Sequence, residues 1–433
     1  MVTGERLDGR FGRLWAATTT SALGSGLSTV AAPLLVSTRT DDPLLVSGAF
    51  ATAWLPWLLF ALPGGILVDR VDRRRLMIVV DWLRVGALAL LGAAIAGGFM
   101  TIPLLYAVLF GLNTGEIVFR TASQALVPAV VPPARLERAN GWLVGGSTVA
   151  QGMLAGPLGG FLFVLAASAP FFANAVTYAV GAVLVAGIAG SYRPDPVAPG
   201  TRSVRAELLE GVRWLAGQRL LRTMAVLIGL LNVTLTAAFA LLVLLAEERL
   251  GLGEVGYGVL LACMAVGSLV GSLIGDRLIG WVTATWTIRV GLLTEVLMHL
   301  LLAVSTDAWL VGAGLVLFGV HGALWGIVAV SLRQRLTPPR LLGRVGSVNL
   351  FVVAGGNCVG ALLGGVLAAR FGLTAPYWVG FVVAVLVTAS TWRVFDRATV
   401  SRAYASAPPP EGELRSRVDA VGRPSDPSVP NER

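Results

Sequence analysis

The two halves of this 433-residue chain repeat one another. Residues 64–70 read Gly-Gly-Ile-Leu-Val-Asp-Arg and residues 271–277 read Gly-Ser-Leu-Ile-Gly-Asp-Arg, each at the end of a long apolar stretch. Other short sequences recur at offsets of 205 to 208 residues: Arg84-Val85-Gly86 as Arg289-Val290-Gly291, Leu109-Phe110-Gly111 as Leu317-Phe318-Gly319, and Pro132-Pro133 with Arg138 as Pro338-Pro339 with Arg344. A duplicated hydrophobic half is typical of membrane proteins built from two repeats, with the working site at the repeat interface.

The composition excludes a soluble protein and several kinds of chemistry. The chain is 55% hydrophobic and only 13% charged, whereas soluble domains carry about 25% charged residues. It contains no lysine, so its net charge of +9 comes from arginine. Without lysine it has neither a Walker-type phosphate loop nor a Schiff-base nucleophile. Energy for transport must therefore come from a gradient or from a separate subunit.

Twelve apolar stretches are long enough to cross a bilayer as helices. The sequence thus predicts an all-α integral membrane protein with twelve transmembrane helices in two six-helix repeats. The predicted spans are 14–37, 44–68, 76–97, 102–127, 142–167, 171–190, 223–246, 257–280, 285–304, 309–332, 345–369 and 376–395.

Arginine placement predicts the orientation of these spans. Thirty of the 33 arginines lie at or near connectors on one side, and only Arg39, Arg249 and Arg370 lie on the other. Both termini are therefore expected in the cytoplasm. The Ala-, Gly- and Arg-rich composition indicates a GC-rich bacterial genome, so we expect a bacterial inner membrane.

The same spans predict five segments. A cytoplasmic tail over 1–13 precedes an N-terminal bundle over 14–190, and a central cytoplasmic loop over 191–222 leads to a C-terminal bundle over 223–395. The central loop should contain an amphipathic helix over 203–221, lying on the cytoplasmic membrane face. The tail over 396–433 is rich in Pro, Ser, Arg and Glu, a composition typical of disorder.

The loop after the second span carries Gly65, Asp69, Arg70 and Arg73 in the order Gly-x-x-x-Asp-Arg-x-x-Arg. This segment resembles the loop signature of the major facilitator superfamily, in which the motif is associated with locking the outward-facing state. Asp72 stands where the family usually has glycine, and aspartate tolerates a left-handed turn better than most residues. The resemblance implies a latch between Asp69 and Arg73, or between Asp69 and a helix N-terminus, with Asp276 and Arg277 as its repeat copy. The alternative is that the arginines only fix topology.

Span five contains Gly152, Gly156, Pro157 and Gly160 in a Gly-x-x-x-Gly-Pro-x-x-Gly pattern. Glycines four residues apart let helices approach closely. The pattern resembles the antiporter signature of the same superfamily, which implies export. Segments of span four and of the loop after it extend the resemblance, which covers residues 11 to 395. The chain is similar to the branch of the superfamily that contains enterobactin exporters and macrolide-efflux proteins.

Glu116 lies well inside span four, with Arg120 one helical turn later. An ionisable side chain within a span is a functional candidate by default. Burial favours the neutral carboxyl and the arginine favours the charged one, so Glu116 is a candidate proton carrier. The alternative is a static Glu116–Arg120 pair that holds the helix.

Other polar residues fall inside spans. Glu295 and His299 form an i, i+4 pair in span nine, which the family fold makes peripheral, so that pair is expected to be structural. The fold implies a mixed apolar and polar cavity, for which the candidates are Trp54, Phe110, Asn113, Gln151, Asn232, His321, Trp325 and Asn357. No metal-ligand cluster or nucleophile triad is visible in the sequence.

The sequence therefore predicts a secondary transporter, not an enzyme, that exports a small amphiphilic molecule such as an antibiotic or siderophore in exchange for protons. It is expected to act as a monomer, without cofactor or nucleic-acid partner. The rivals are an importer or uniporter on the same fold, a non-transporting membrane sensor or assembly partner, and the membrane subunit of an ATP-driven pump.

Overall fold

The structure, a computed structural model, describes residues 9–68, 70–132, 135–193, 204–338 and 341–405. Helices occupy nearly all of these residues, and one of them contains a π-helical segment over Thr148–Leu154. Their bounds are α1 Gly9–Ser37, α2 Pro43–Val68, α3 Arg73–Ala96, α4 Ile102–Val130, α5 Leu136–Ser147, α6 Ala155–Leu165, α7 Ala169–Ala186, α8 Val204–Gly217, α9 Arg219–Phe239, α10 Leu242–Glu248, α11 Glu254–Val282, α12 Ala284–Val304, α13 Ala308–Leu336, α14 Leu342–Phe371, α15 Ala375–Thr391 and α16 Arg397–Ala405.

The expected all-helical, membrane-spanning fold is confirmed. Eleven stretches of the described chain are long and apolar enough to cross a membrane. The remaining predicted span corresponds to α15, an apolar helix of 17 residues that packs against α9 and α12. Within the described chain, α5, the π-helical segment and α6 together form span five, and α9 with α10 forms span seven.

Arginine side chains close two helix C-termini by donating to free backbone carbonyls. Arg74 donates to the carbonyls of Val185 and Ala186 at the end of α7. Arg249 does the same for Ala303 and Val304 at the end of α12. Arg74, on the arginine-rich side, and Arg249, on the opposite side, therefore both cap helix C-termini, where the partial negative charge favours a cation.

The two halves meet along two pairs of helices. α14 packs on α2, and α11 packs on α6. We call the end of the bundle where α1 begins and α15 ends the tail face, and the opposite end the far face. At the far face the halves are closed, because the Ser37 hydroxyl donates to Glu247 across them at 3.3 Å and Gly365 of α14 leaves no room for a Cβ beside Leu44 and Ser47 of α2.

Toward the tail face the halves separate. A cleft of about 360 Å³ opens between span five and the C-terminal half, and its walls include Ser147 and Gln151 on one side and Met264 and Ser268 on the other. The structure is therefore open toward the tail face and closed at the far face.

Span five changes its helical winding just before its proline. The Ala155 N–H bonds to the Ala150 carbonyl, five residues back, at the end of the π-helical segment. Pro157 has no N–H to donate to the Met153 carbonyl, and its ring crowds that carbonyl. The wider winding, which is often found at functional sites, places Gln151 on the cleft.

The helix expected in the central loop is present as α8, which docks on α14 and α9 with Leu215 buried among Leu221, Leu341 and Val345. Two expectations about connectors need correction. The tail is helical over Arg397–Ala405, because Asp396 accepts hydrogen bonds from the Thr399 amide and hydroxyl and so caps α16. Residues 406–433 lie outside the described chain.

Asp72 is the second. Its backbone is extended, at φ −63° and ψ 115°, and not left-handed. The carboxylate caps α3 by accepting from the Arg75 amide at 2.9 Å, and it also accepts from the Tyr192 amide at 2.7 Å and the Ser191 hydroxyl at 2.9 Å. Partial burial raises the pKa of Asp72, but these hydrogen bonds outweigh it and leave that pKa below its ordinary value.

Candidate substrate and proton sites

The N-terminal half encloses a cavity of about 450 Å³ near the middle of the bundle. Helices α1, α2 and α4 line it, together with Gln151 from the π-helical segment and Leu350 and Val353 from α14. Trp54, Asn113 and Gln151, three of the predicted cavity residues, lie on its wall, and so do Glu116 and Arg120. The wall is mostly apolar with a few polar groups, as the sequence predicted.

The C-terminal half has its own cavity, of about 310 Å³. The predicted residues Asn232, His321 and Trp325 line it. Val353 borders this cavity and the N-terminal one, and Phe318 and Gly322 border both it and the cleft between the halves. The three spaces therefore adjoin one another around the centre of the protein.

Two predicted cavity residues lie elsewhere. Phe110 packs edge-on against Phe60, with ring centroids 6.0 Å apart. Asn357 is buried and accepts a hydrogen bond from the Thr236 hydroxyl at 2.8 Å, which ties α14 to α9. Both were placed on the cavity from sequence because they fall midway along a lining helix, but a helix also has faces turned toward its neighbours.

Glu116 forms an ion pair, although not with the residue one turn later. Its Oε2 accepts from Arg84 Nη2 at 2.9 Å and from the Ser25 hydroxyl at 3.2 Å. Arg84 belongs to α3, and its side chain is 2% exposed, so it supplies the positive charge from inside the bundle. The expected partner Arg120 instead lies over the Trp57 ring at 5.9 Å on the cavity wall.

Arg84 also holds a second acid. Its Nη1 lies 3.3 Å from Oδ1 of Asp81, whose side chain is fully buried. Asp81 was assigned to a helix boundary from sequence, yet it lies inside α3 and its Oδ2 has no hydrogen-bond partner among the described residues. The guanidinium is further enclosed by the Tyr178 ring at 4.7 Å and the Phe119 ring at 5.6 Å.

Sequence reasoning missed this cluster of Asp81, Arg84 and Glu116, which we call the acid–arginine cluster. A signal was present, because an aspartate and an arginine three residues apart in span three lie on one helical face. Asp81 was set aside because sequence reasoning placed it at the boundary of its span. In the structure α3 packs against α4 and α7 and turns this face toward them.

The repeat does not reproduce the cluster in the C-terminal half. Arg289, the counterpart of Arg84, lies between the rings of Trp286 and Trp392 at 5.6 and 4.7 Å and donates to the Trp392 carbonyl. There, an acid and a base come together from adjacent helices instead: Glu295 Oε1 of α12 lies 3.6 Å from His321 Nε2 of α13. The expected Glu295–His299 side-chain pair is wrong, since His299 Nδ1 contacts the Glu295 backbone oxygen.

The boundary motif is described only in part. Gly65 lies in α2, Arg70 is exposed in the turn after it, and Arg73 donates to the Ala125 carbonyl of α4 at 3.0 Å. Asp69 lies outside the described residues, as does the side chain of Asp276, while Arg277 is exposed on α11. The latch therefore stays a prediction.

The glycines of span five lie at the crossing with α11. A Cβ on Gly156 would lie 2.4 Å from the Gly258 carbonyl oxygen, and one on Gly160 would lie 2.4 Å from the Glu254 carbonyl oxygen. Gly152 is less confined, with the Ala265 side chain 3.0 Å away. These backbones touch because no side chain stands between them.

Comparison with known proteins agrees with this architecture. The sequence profile of the transmembrane secretion effector family matches residues 7–421. The chain belongs to this family. Macrolide efflux protein A of Streptococcus pyogenes is 23% identical over 374 residues, covering 84% of this chain and 90% of that protein. The enterobactin exporter EntS of Escherichia coli O1:K1 is 25% identical over 354 residues, covering 80% and 82%.

Solved structures show the same fold. A bacterial homologue of the iron transporter ferroportin in its inward-facing state superposes with a TM-score of 0.73 at 16% identity, covering 91% of this chain and all of that one. The D323A mutant of the nucleoside transporter NupG superposes with the same TM-score at 10% identity, covering 90% of this chain and all of that one. This family member is a multi-pass membrane transporter of the major facilitator type and not an enzyme.

Proposed function

We propose that this transporter exports a small amphiphilic molecule from the cytoplasm of a bacterium in exchange for protons. The tail face would be cytoplasmic, as the arginines predict. The observation that carries the proposal is the acid–arginine cluster, in which two carboxylates share one arginine in the membrane interior and one of them borders the cavity.

The charges of the cluster favour binding one proton. With both carboxylates ionised and Arg84 positive, the net charge is −1, and uncompensated charge inside a membrane protein is costly. One proton makes the cluster neutral. Glu116 is the group through which that proton would exchange, because its side chain is 25% exposed whereas that of Asp81 is fully buried.

Alternating access would give this exchange a direction. The cleft, which shares Gln151 with the N-terminal cavity, opens toward the tail face, so a proton on Glu116 would be released through it to the cytoplasm. Rocking of the halves would then expose the same group at the far face. One charge moved through about 100 mV supplies about 2.3 kcal/mol.

The adjoining cavities suit an amphiphile. They combine aromatic walls, such as Trp54 and Trp325, with the amides of Asn113 and Asn232, each of which donates to its own helix. The amide oxygens of both have no protein partner among the described residues. The names of the relatives support export of such molecules, since one is a macrolide efflux protein and another an enterobactin exporter.

Everted membrane vesicles from an Escherichia coli strain lacking its main drug-efflux pump test direction and coupling together. We expect vesicles that contain the transporter to accumulate a radiolabelled macrolide or a catecholate siderophore when respiration makes them acidic inside. A protonophore should abolish the accumulation, and Glu116→Gln should lack it, while Glu248→Gln on the exposed far face should behave as wild type.

The rival functions predict other results. Accumulation that survives the protonophore contradicts proton exchange, and uptake confined to right-side-out vesicles indicates an importer. If neither compound is transported in either orientation by protein shown to be in the membrane, the amphiphile assignment is wrong.

A further inference from the structure

A second acid–base pair lies in the C-terminal half, separate from the acid–arginine cluster. Glu295 stands midway along α12 and is 6% exposed, and its Oε1 lies 3.6 Å from Nε2 of His321, midway along α13. The other carboxylate oxygen, Oε2, is buried without a hydrogen-bond partner among the described residues. Both side chains border the C-terminal cavity.

No other charge in the described structure is placed to satisfy this carboxylate. On α12 itself, Arg289 is two turns away and held between two tryptophans, and the His299 ring contacts a backbone oxygen. On α13, Arg333 lines the same cavity but stands about 18 Å further along the helix axis. Tyr377 of α15 is buried near the far face, and Glu254 and Arg277 lie toward the two ends of α11. Cys263 of α11 lies beside Gly312, about 14 Å from His321 along α13, and the arginines of α16 follow the tail-face end of α15.

The pair thus carries one negative charge when the imidazole is neutral and none when the imidazole is protonated. An isolated carboxylate with one unsatisfied oxygen is costly in a low-dielectric interior. A proton on His321 removes that cost without a large movement, because the two groups are already within ion-pair distance.

Packing fixes His321 in place for this role. A Cβ on Gly291 of α12 would lie 2.4 Å from the ring, so the imidazole rests directly on the bare backbone of α12. Phe318 and Trp325 flank it at ring-centroid distances of 5.6 and 6.3 Å. The pair lies entirely within one half and would move with it, while the cavity beside it changes the side to which it opens.

We propose that Glu295 and His321 form a second proton-binding site, in which the imidazole of His321 carries the proton and Glu295 stabilises it. The proton is exchanged through the C-terminal cavity, independently of Glu116. The site itself does not depend on the proposed export. Its consequence, a second proton per transport cycle, rests on that proposed function.

The chain offers a direct test because it contains only two histidines. The full-length protein, purified in detergent and labelled with ring-¹³C histidine, should give two imidazole signals, which His299→Gln and His321→Gln assign. We expect the His321 signal to change reversibly as the pH is varied, which would show that its imidazole binds a proton. Glu295→Gln should weaken proton binding at His321 by tenfold or more, because the amide has the size of the carboxylate without its charge.

Two further variants test whether the effect on His321 is specific to Glu295. Glu116→Gln should leave the His321 titration unchanged, and Glu248→Gln, an exposed acid on the far face, should do so as well. Circular dichroism and size-exclusion profiles show which variants fold. A His321 signal that stays neutral across the whole pH range overturns the proposal, as does a titration that Glu295→Gln leaves unchanged. Loss of export in Glu116→Gln bears on the proposed function alone.

Discussion

The close crossing of α6 and α11 gives the most quantitative prediction. A Cβ on Gly156 lies 2.4 Å from the Gly258 carbonyl oxygen, whereas ordinary contacts begin at 3.4 Å. Gly156→Ala therefore requires these two backbones to separate by about 1 Å at this point. Because the contact joins the two halves on the closed side of the molecule, opening the far face relieves the clash.

Gly156→Ala destabilises the conformation of this structure, which is closed at the far face. Overpacking a tight contact costs about 1–3 kcal/mol, which corresponds to a shift of roughly 5- to 150-fold in a two-state equilibrium. Gly156→Ala should therefore move the population toward the conformation that is open at the far face. The larger Gly156→Val should move it further, and it should impair exchange or let protons leak if the crossing also seals the closed state.

Spin labels across the far face can measure this shift. With both native cysteines replaced by alanine, Arg39→Cys and Glu248→Cys place one label on an exposed position of each half. Gly156→Ala should increase the long-distance fraction by at least fivefold relative to the short one. Gly145→Ala is the matched control, since no atom lies within 4 Å of its Cβ. An unchanged distance distribution in folded Gly156→Ala refutes the argument.

Three further predictions concern charged groups. Arg84→Met should lower the free energy of unfolding by about 3–5 kcal/mol because it leaves the buried carboxylate of Asp81 and the part-buried one of Glu116 without their arginine. Arg289→Met should cost less, and thermal unfolding in detergent compares the two variants. Equal losses would contradict the acid–arginine cluster. Asp72→Ala should cost about 1 kcal/mol through loss of the α3 cap. Because the folded state lowers the pKa of Asp72, the stability advantage of the wild type should begin to decline below about pH 4 and should be lost once the pH falls below the lowered pKa. An advantage that stays constant in acid would count against this cap. Asp69→Asn should impair transport and leave membrane insertion normal, and Asp276→Asn should impair transport less. Wild-type transport by Asp69→Asn would contradict the proposed latch.

The sequence was sufficient for the fold because a bilayer leaves few choices. Span length, the duplicated motifs and arginine placement each constrain the same twelve-helix arrangement, and the structure has apolar helices at all twelve positions. Glycine spacing in span five likewise indicated a close helix approach, which the structure places at α11.

Side-chain partners were harder to predict, because hydropathy does not show which way a helix is turned. Glu116 was correctly placed on the cavity, but its partner Arg84 comes from another helix, 32 residues earlier in the chain. Glu295 was paired with His299 on its own helix, while the side chain that faces it is His321 of α13. In both cases the partner predicted from sequence lies on the same helix, whereas the partner in the structure lies on an adjacent helix.

Glu116 as the coupling carboxylate is the central claim, and one comparison of two transport modes tests it most directly. Proteoliposomes containing wild type or Glu116→Gln are assayed for efflux driven by a pH gradient and for counterflow without one, with the transported compound identified in vesicles. Because the amide imitates the protonated acid, Glu116→Gln should lose gradient-driven efflux and keep counterflow. Full gradient-driven efflux by well-expressed Glu116→Gln would contradict the account.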